Sequence, residues 1–101
     1  MYVSRLSFSV QPGRTHQVEE ALGKLAELVR QTGGGATRIL RTSYASLGAP
    51  DLQFEQEAES LAALEDGMQQ VMAMAAFQQW SADVTPALLH SPKRELFRVA
   101  D

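Results

Sequence analysis

The chain has 101 residues, of which 45% are hydrophobic and 21% charged, and its formal net charge is −3. This composition is typical of one soluble globular domain with a thin core. The chain contains no cysteine, which excludes disulfides, thiolate metal sites and cysteine nucleophiles.

The sequence shows no sign of a nucleic-acid or membrane partner. Its basic residues are scattered along the chain, whereas a nucleic-acid interface needs them clustered. No apolar run approaches the ~20 residues of a membrane span, and residues 1–5 lack the character of a secretion signal. We therefore predict a single cytoplasmic domain over residues 1–101.

The first part of the chain predicts a strand followed by a long helix. Apolar and polar residues alternate through residues 2–10, the period of a half-buried strand. Thr15 is expected to cap the helix that follows. Gly33–Gly35 should end it, because glycine adopts the left-handed cap conformation at little cost. The apolar stripe of this helix recurs at four-three-four spacing: Val18, Leu22, Leu25 and Val29.

Two further strands are predicted over residues 36–47 and 52–59, joined by a Gly-Ala-Pro-Asp turn. If that four-residue turn sets the register, Tyr44 lies opposite Glu55. Arg41 then falls on a mixed face of the hairpin and is expected to be partly buried.

The second helical region should be broken. Ser60 can cap it, and one apolar stripe runs from Leu61 to Ala75. A new stripe then begins at Phe77 out of phase, which predicts two helical pieces with a break near Met74. A last strand is predicted over residues 95–99.

The resulting β-α-β-β-α-β order predicts an α+β fold, a ferredoxin-like sandwich with a four-stranded antiparallel sheet and helices on one face. The other face of such a sheet has no cover of its own. Large apolar surfaces are seldom left in water, so we expect a homodimer in which two sheets pack together.

Several segments resemble the dimeric α+β barrel superfamily, in particular small stand-alone proteins related to the antibiotic biosynthesis monooxygenase (ABM) and NIPSNAP-like families. The resemblance rests on four segments, residues 8–13, 54–64, 76–80 and 93–99. It implies two sheets packed face to face, helices outside, and a cavity either between sheet and helices or inside the barrel.

Two departures from that resemblance bear on activity. Haem-degrading relatives carry a histidine on the second long helix, where this chain has none over residues 64–68, so haem breakdown is not expected. Quinone-forming relatives use asparagine and tryptophan in the pocket, whereas this chain has no asparagine and a single tryptophan, Trp80. No cofactor is expected.

The resemblance implies a cofactor-independent monooxygenase acting on a small aromatic or polyketide-like molecule. In that case Glu57 is the candidate base, and Arg41 and Tyr44 are the candidate ligand anchors. A non-catalytic small-molecule-binding dimer and a purely structural dimer are the alternatives. A cavity of roughly 300 Å³ or more with convergent polar groups would favour the first two over the third.

Each candidate residue also has a simpler interpretation. The carboxylates of Glu55 and Glu57 on one strand face are typical of a solvated surface or of pairing with Arg38. For Arg41 a salt bridge between two copies of the chain is the first interpretation, ahead of a ligand anchor or simple exposure. No metal site is predicted, because His16 and His90 lack further ligands at suitable spacing. Other residues are typical either of core packing or of a pocket wall: Met68, Met72, Met74, Phe77 and Trp80.

Overall fold

A computed structural model describes residues 1–100, and it contains the predicted β-α-β-β-α-β order with the second helical region split in two. The sheet is antiparallel throughout, with strand order β2-β3-β1-β4. The ferredoxin-like fold is therefore confirmed. The elements are β1 (Tyr2–Phe8), α1 (Thr15–Gln31), β2 (Thr37–Arg41), β3 (Leu52–Ala58), α2 (Leu61–Ala73), α3 (Ala75–Val84) and β4 (Lys93–Arg98).

The sheet has one face against the helices and one face without a cover. Side chains alternate between the two faces along each strand, and the registers of neighbouring strands align them in rows. The helix face carries Ser4, Leu6, Phe8, Ile39, Arg41, Leu52, Phe54, Gln56, Arg94 and Leu96. The open face carries Val3, Arg5, Ser7, Arg38, Leu40, Gln53, Glu55, Glu57, Lys93, Glu95 and Phe97.

The core lies between α1 and the helix face. Phe8 and Leu52 of the sheet are fully buried there, and burying a side chain of this size contributes about 1.5–3 kcal/mol each. The predicted apolar stripe of α1 is confirmed, because all of its members are buried, with Leu28 beside them.

Two of the three helix-end residues predicted from the sequence are confirmed. The Ser60 hydroxyl accepts a hydrogen bond from the Ala63 N–H at 3.1 Å and caps α2 as predicted. Gly33, with φ of 74°, follows the end of α1. Thr15 does not cap α1, which is a correction. Thr15 is already the first helical residue, and the carbonyl of Arg14 accepts the Val18 N–H at 3.1 Å instead.

The predicted break in the second helical region is confirmed at Met74. Its backbone is extended, with φ of −75° and ψ of 135°, between α2 and α3. The break turns α3 toward α1, where the indole N–H of Trp80 donates to the Ala21 carbonyl at 2.6 Å. The Trp80 ring also stacks on Phe77 with centroids 5.6 Å apart.

The predicted hairpin register is wrong. Arg38, not Tyr44, lies opposite Glu55, and Arg41 lies opposite Leu52. The connection is longer than the four-residue turn, because β2 ends at Arg41 and the whole of residues 42–51 forms the loop. The Thr42 N–H donates to the Asp51 carbonyl at 3.1 Å and closes the base of that loop.

Candidate functional site

A cavity of about 310 Å³ lies between the helix face of the sheet and helices α2 and α3. We call it the sheet–helix cavity. Its walls are largely apolar, and four polar side chains reach it from β1, β3, α3 and β4. The apolar lining includes Leu6, Phe54, Met68, Val71, Phe77 and Trp80, and the polar lining is Ser4, Gln56, Ser81 and Arg94.

The cavity exists partly because α2 presents Gly67 to it. Gly67 has no side chain, and a Cβ at this position would meet no atom within 4 Å. The helix therefore passes the sheet without filling the space beneath it. Met68 and Met72, on the same helix, add flexible thioether walls.

Ser4 and Gln56 form the polar part of the cavity floor. They are direct cross-strand neighbours at the centre of the sheet, and Ser4 is only 5% exposed. Within residues 1–100, the side chains of Arg5 and Gln53 on the open face hydrogen-bond other side chains, whereas those of Ser4 and Gln56 do not. Both can therefore turn a donor or acceptor toward a molecule in the cavity.

Arg94 stands at the mouth of the cavity. It projects from edge strand β4, where it lies opposite Leu6, and its guanidinium lies against the sulfur of Met68. Arg94 as a whole is exposed, but partial burial lowers the pKa of its guanidinium. The group still carries its charge at neutral pH, because an arginine titrates far above that range.

The open face carries a row of alternating charges across all strands. In spatial order the row reads Arg38, Glu55, Arg5 and Glu95. Glu55 is 3% exposed; its two carboxylate oxygens lie 2.7 Å from Arg38 and 2.6 Å from Arg5. Burial alone would raise the pKa of Glu55, but the hydrogen bonds from Arg38 and Arg5, together with their positive charges, outweigh it and lower the pKa below its ordinary value.

The residues predicted as a site from the sequence do not converge on one cavity. Arg41 is exposed and not partly buried as predicted, because it reaches Glu19 of α1 at the surface and donates two hydrogen bonds of 2.7 Å to it. Tyr44 lies in the loop after β2 and is 99% exposed. Both line a wide surface depression beside that loop. Glu57 lies on the open face, beside Val3 and Arg38.

The sequence analysis missed the polar residues of the sheet–helix cavity. A signal was present at Ser4, which interrupts an alternation of otherwise apolar residues on β1. Arg94 carried a weaker signal, because it alternates with Leu96 but the sequence does not say which face either residue joins.

Neither a metal site nor a membrane-spanning helix occurs within residues 1–100. Histidine, aspartate and glutamate side chains nowhere gather in groups of three or more that could hold a metal ion. The helices of this part of the chain are too short or too polar to cross a bilayer.

Solved structures share this fold at low sequence identity. A candidate antibiotic biosynthesis monooxygenase from Bordetella bronchiseptica aligns with a TM-score of 0.74 and 21% identity, covering 98% of this chain and 96% of that one. An uncharacterised NIPSNAP domain protein from Burkholderia xenovorans aligns with a TM-score of 0.74 and 13% identity, covering 99% and 95%. A dimeric ferredoxin-like protein of unknown function from Thermobifida fusca aligns with a TM-score of 0.69 and 16% identity, covering 97% and 90%.

No protein-family model and no curated protein matches the chain. The similarity to ABM-like and NIPSNAP-like proteins that the sequence indicated is thus confirmed as a similarity of fold.

Proposed function

We propose that this chain is an ABM-like protein that binds a small aromatic molecule in the sheet–helix cavity and oxidises it with molecular oxygen, without a cofactor. The observation that carries the proposal is the cavity itself, about 310 Å³ in volume with apolar walls and convergent polar groups. Small-molecule sites typically have this size and character. A purely structural module would fill this space with its own side chains.

Oxygenation is the reaction we favour, on the strength of the shared fold with the candidate monooxygenase. In such a reaction the electron-rich substrate, once deprotonated, reduces oxygen itself. One oxygen atom enters the substrate and the other leaves as water, whose two hydrogens both come from the substrate, so that the substrate supplies all four electrons and is oxidised to the quinone level. The protein's tasks are to orient the substrate, to take its proton and to exclude bulk water.

Binding in the cavity is tested by filling it. Gly67→Leu places a leucine side chain at the cavity wall, whereas Gly23→Leu makes the same change on the exposed side of α1, where a Cβ also meets no atom within 4 Å. We expect Gly67→Leu to abolish binding of 1-naphthol, followed through quenching of Trp80 fluorescence, and Gly23→Leu to leave it unchanged. Equal binding by both variants would place the ligand elsewhere.

The surface depression lined by Arg41 and Tyr44 is the alternative location for the ligand. If the two residues act as anchors there, Arg41→Met and Tyr44→Phe will each weaken 1-naphthol binding while Gly67→Leu will not. The two sets of variants therefore separate the two locations in a single titration series.

Glu57, our candidate base, lies on the open face, on the other side of the sheet from the sheet–helix cavity. It can therefore take a proton only from a substrate bound on the open face. The test is oxygen uptake with a panel of hydroquinones and anthrone-like phenols. If oxidation takes place on the open face, Glu57→Gln will reduce uptake at least tenfold and Glu95→Gln, on the same face, will retain it; if it takes place in the sheet–helix cavity, both variants will retain it. Wild-type uptake that is unchanged in Glu57→Gln would remove this residue from the mechanism.

A non-catalytic binder is the second candidate, and the Trp80–Phe77 stack beside the cavity favours aromatic ligands in either case. Oxygen uptake during turnover distinguishes the two functions. Tight binding of the phenol panel with no oxygen uptake by the wild-type protein would establish the binder and reject the oxygenase.

We also propose that a second copy of the chain covers the open face. The face mixes apolar side chains with equal numbers of acids and bases, namely Glu55, Glu57 and Glu95 against Arg5, Arg38 and Lys93. Such a surface complements itself in a two-fold dimer. One structural neighbour is described as dimeric.

Light scattering on micromolar protein tests the dimer. Leu40→Arg adds an unpaired charge to the open face, and Leu47→Arg adds the same charge to a fully exposed loop position. We expect the wild-type protein and Leu47→Arg to be dimers and Leu40→Arg to be a monomer. A monomeric wild-type protein would reject this assembly.

A further inference from the structure

We infer that Arg94 makes the sheet–helix cavity selective for aromatic carboxylates, whose ring lies among the apolar walls and whose carboxylate meets the guanidinium at the mouth. This inference rests on the proposed small-molecule function of the cavity and adds the chemical class of the ligand.

The first support is that Arg94 has no carboxylate partner within residues 1–100. Arg5 and Arg38 pair with Glu55, Arg41 pairs with Glu19, and Arg30 pairs with Glu27. The guanidinium of Arg94 donates to the thioether of Met68, and a thioether sulfur is a weak acceptor. A partly buried guanidinium without an anion therefore retains unused donors.

The second support is the charge of the cavity lining. Arg94 is the only charged side chain among the residues that line the cavity, and no aspartate, glutamate or lysine accompanies it. A single positive charge beside apolar walls acts through a lower dielectric than bulk water, which strengthens its attraction for an anion. The cavity is thus complementary to a molecule of formal charge −1.

The third support is the geometry of the group. A guanidinium is planar and presents parallel N–H donors that match the two oxygens of a carboxylate. The rim position of Arg94 on an edge strand leaves the carboxylate in contact with water, which limits the cost of removing its hydration. The aromatic part of the ligand then reaches the stacked rings of Phe77 and Trp80.

The test compares 2-naphthoate with its neutral isostere 2-naphthamide, titrated into the full chain and followed through the fluorescence of the single tryptophan, Trp80. We expect the wild-type protein to bind the carboxylate about tenfold to a hundredfold more tightly, the value of a charge-assisted hydrogen-bond pair. Arg94→Met should remove this preference and leave 2-naphthamide binding within about twofold.

Arg98→Met is the matched control. Arg98 lies on the same strand and the same face but does not line the cavity, so its loss should leave the preference for 2-naphthoate intact. A preference for the carboxylate that persists in Arg94→Met, or that Arg98→Met also removes, would overturn the assignment to Arg94.

The outcomes also separate this inference from the function on which it rests. If the wild-type protein binds both compounds equally, the cavity takes aromatic ligands and the selectivity for carboxylates is rejected. If it binds neither compound and 1-naphthol also fails to bind, the small-molecule function of the cavity is rejected together with the inference.

Discussion

Arg5 and Glu55 face each other across β1 and β3, with the guanidinium nitrogen 2.6 Å from the carboxylate oxygen. Arg38 lies on β2, on the other side of β3, and its guanidinium nitrogen is 2.7 Å from the second carboxylate oxygen of Glu55. The nearly buried carboxylate of Glu55 therefore forms ion pairs with two arginines and links β2, β3 and β1 on the open face. The stability of the sheet should depend on this carboxylate.

The first prediction is that Glu55→Gln lowers the free energy of unfolding by about 1–3 kcal/mol, because two arginines lose their anion. Glu57→Gln, on the same strand face but exposed, should change it by less than about 0.5 kcal/mol. Urea denaturation at neutral pH measures both variants. Equal stability of the two variants would show that the Arg5–Glu55–Arg38 contacts are energetically neutral.

The second prediction concerns pH. The pKa of Glu55 is lowered in the folded chain from its ordinary value of 4.5, so the folded state binds a proton at this site less readily than the unfolded state. The stability that Glu55 contributes is therefore fully present above about pH 4.5 and is lost as the pH falls through the folded pKa. Urea midpoints of the wild-type protein should drop over that range, and those of Glu55→Gln should drop less. Parallel curves would contradict the role of Glu55.

The third prediction concerns the close approach of Gly35 to β3. A Cβ at Gly35 would overlap the backbone carbonyl of Glu57, so Gly35→Ala should lower stability by about 1–3 kcal/mol through overpacking. Gly67→Ala meets no atom within 4 Å and lies within a helix, so it should raise stability by about 0.5–1 kcal/mol. Thermal unfolding distinguishes the two, and a change of the same sign in both would contradict this account.

The fourth prediction concerns the attachment of α3 to α1. Trp80→Phe keeps an aromatic ring against Phe77 but removes the N–H that donates to the Ala21 carbonyl at 2.6 Å. We expect a loss of about 0.5–1.5 kcal/mol from the missing hydrogen bond, together with some lost packing. Circular dichroism measures the thermal midpoint without relying on the indole. An unchanged midpoint would mean that packing alone holds α3 in place.

Elements defined by local periodicity could be predicted from the sequence. The stripe of α1 and the break at Met74 both follow from the spacing of apolar residues, which the helix must satisfy wherever it packs. The Ser60 cap is equally local, because its hydroxyl bonds an N–H only three residues away.

The register of the hairpin could not be predicted, and neither could the relative placement of Arg41, Tyr44 and Glu57. The Gly-Ala-Pro-Asp segment is turn-forming on its own, but the Asp51 carboxylate accepts the Val10 N–H at 2.8 Å and the Asp51 N–H donates to the Phe8 carbonyl at 2.9 Å. These hydrogen bonds hold the loop against Phe8 and Val10, which lie far from it in the sequence. Because β2 ends at Arg41, Tyr44 lies in the exposed loop and not opposite the strand that carries Glu57.

The two edge strands of the sheet, β2 and β4, affect how copies of the chain can aggregate. Free strand edges invite backbone pairing with another molecule, and lysine or arginine on such edges discourages it. Here β2 carries Arg38 and Arg41, and β4 carries Lys93, Arg94 and Arg98. An edge-to-edge contact that brings these basic residues of two copies together is opposed by repulsion, which concentrated salt would screen.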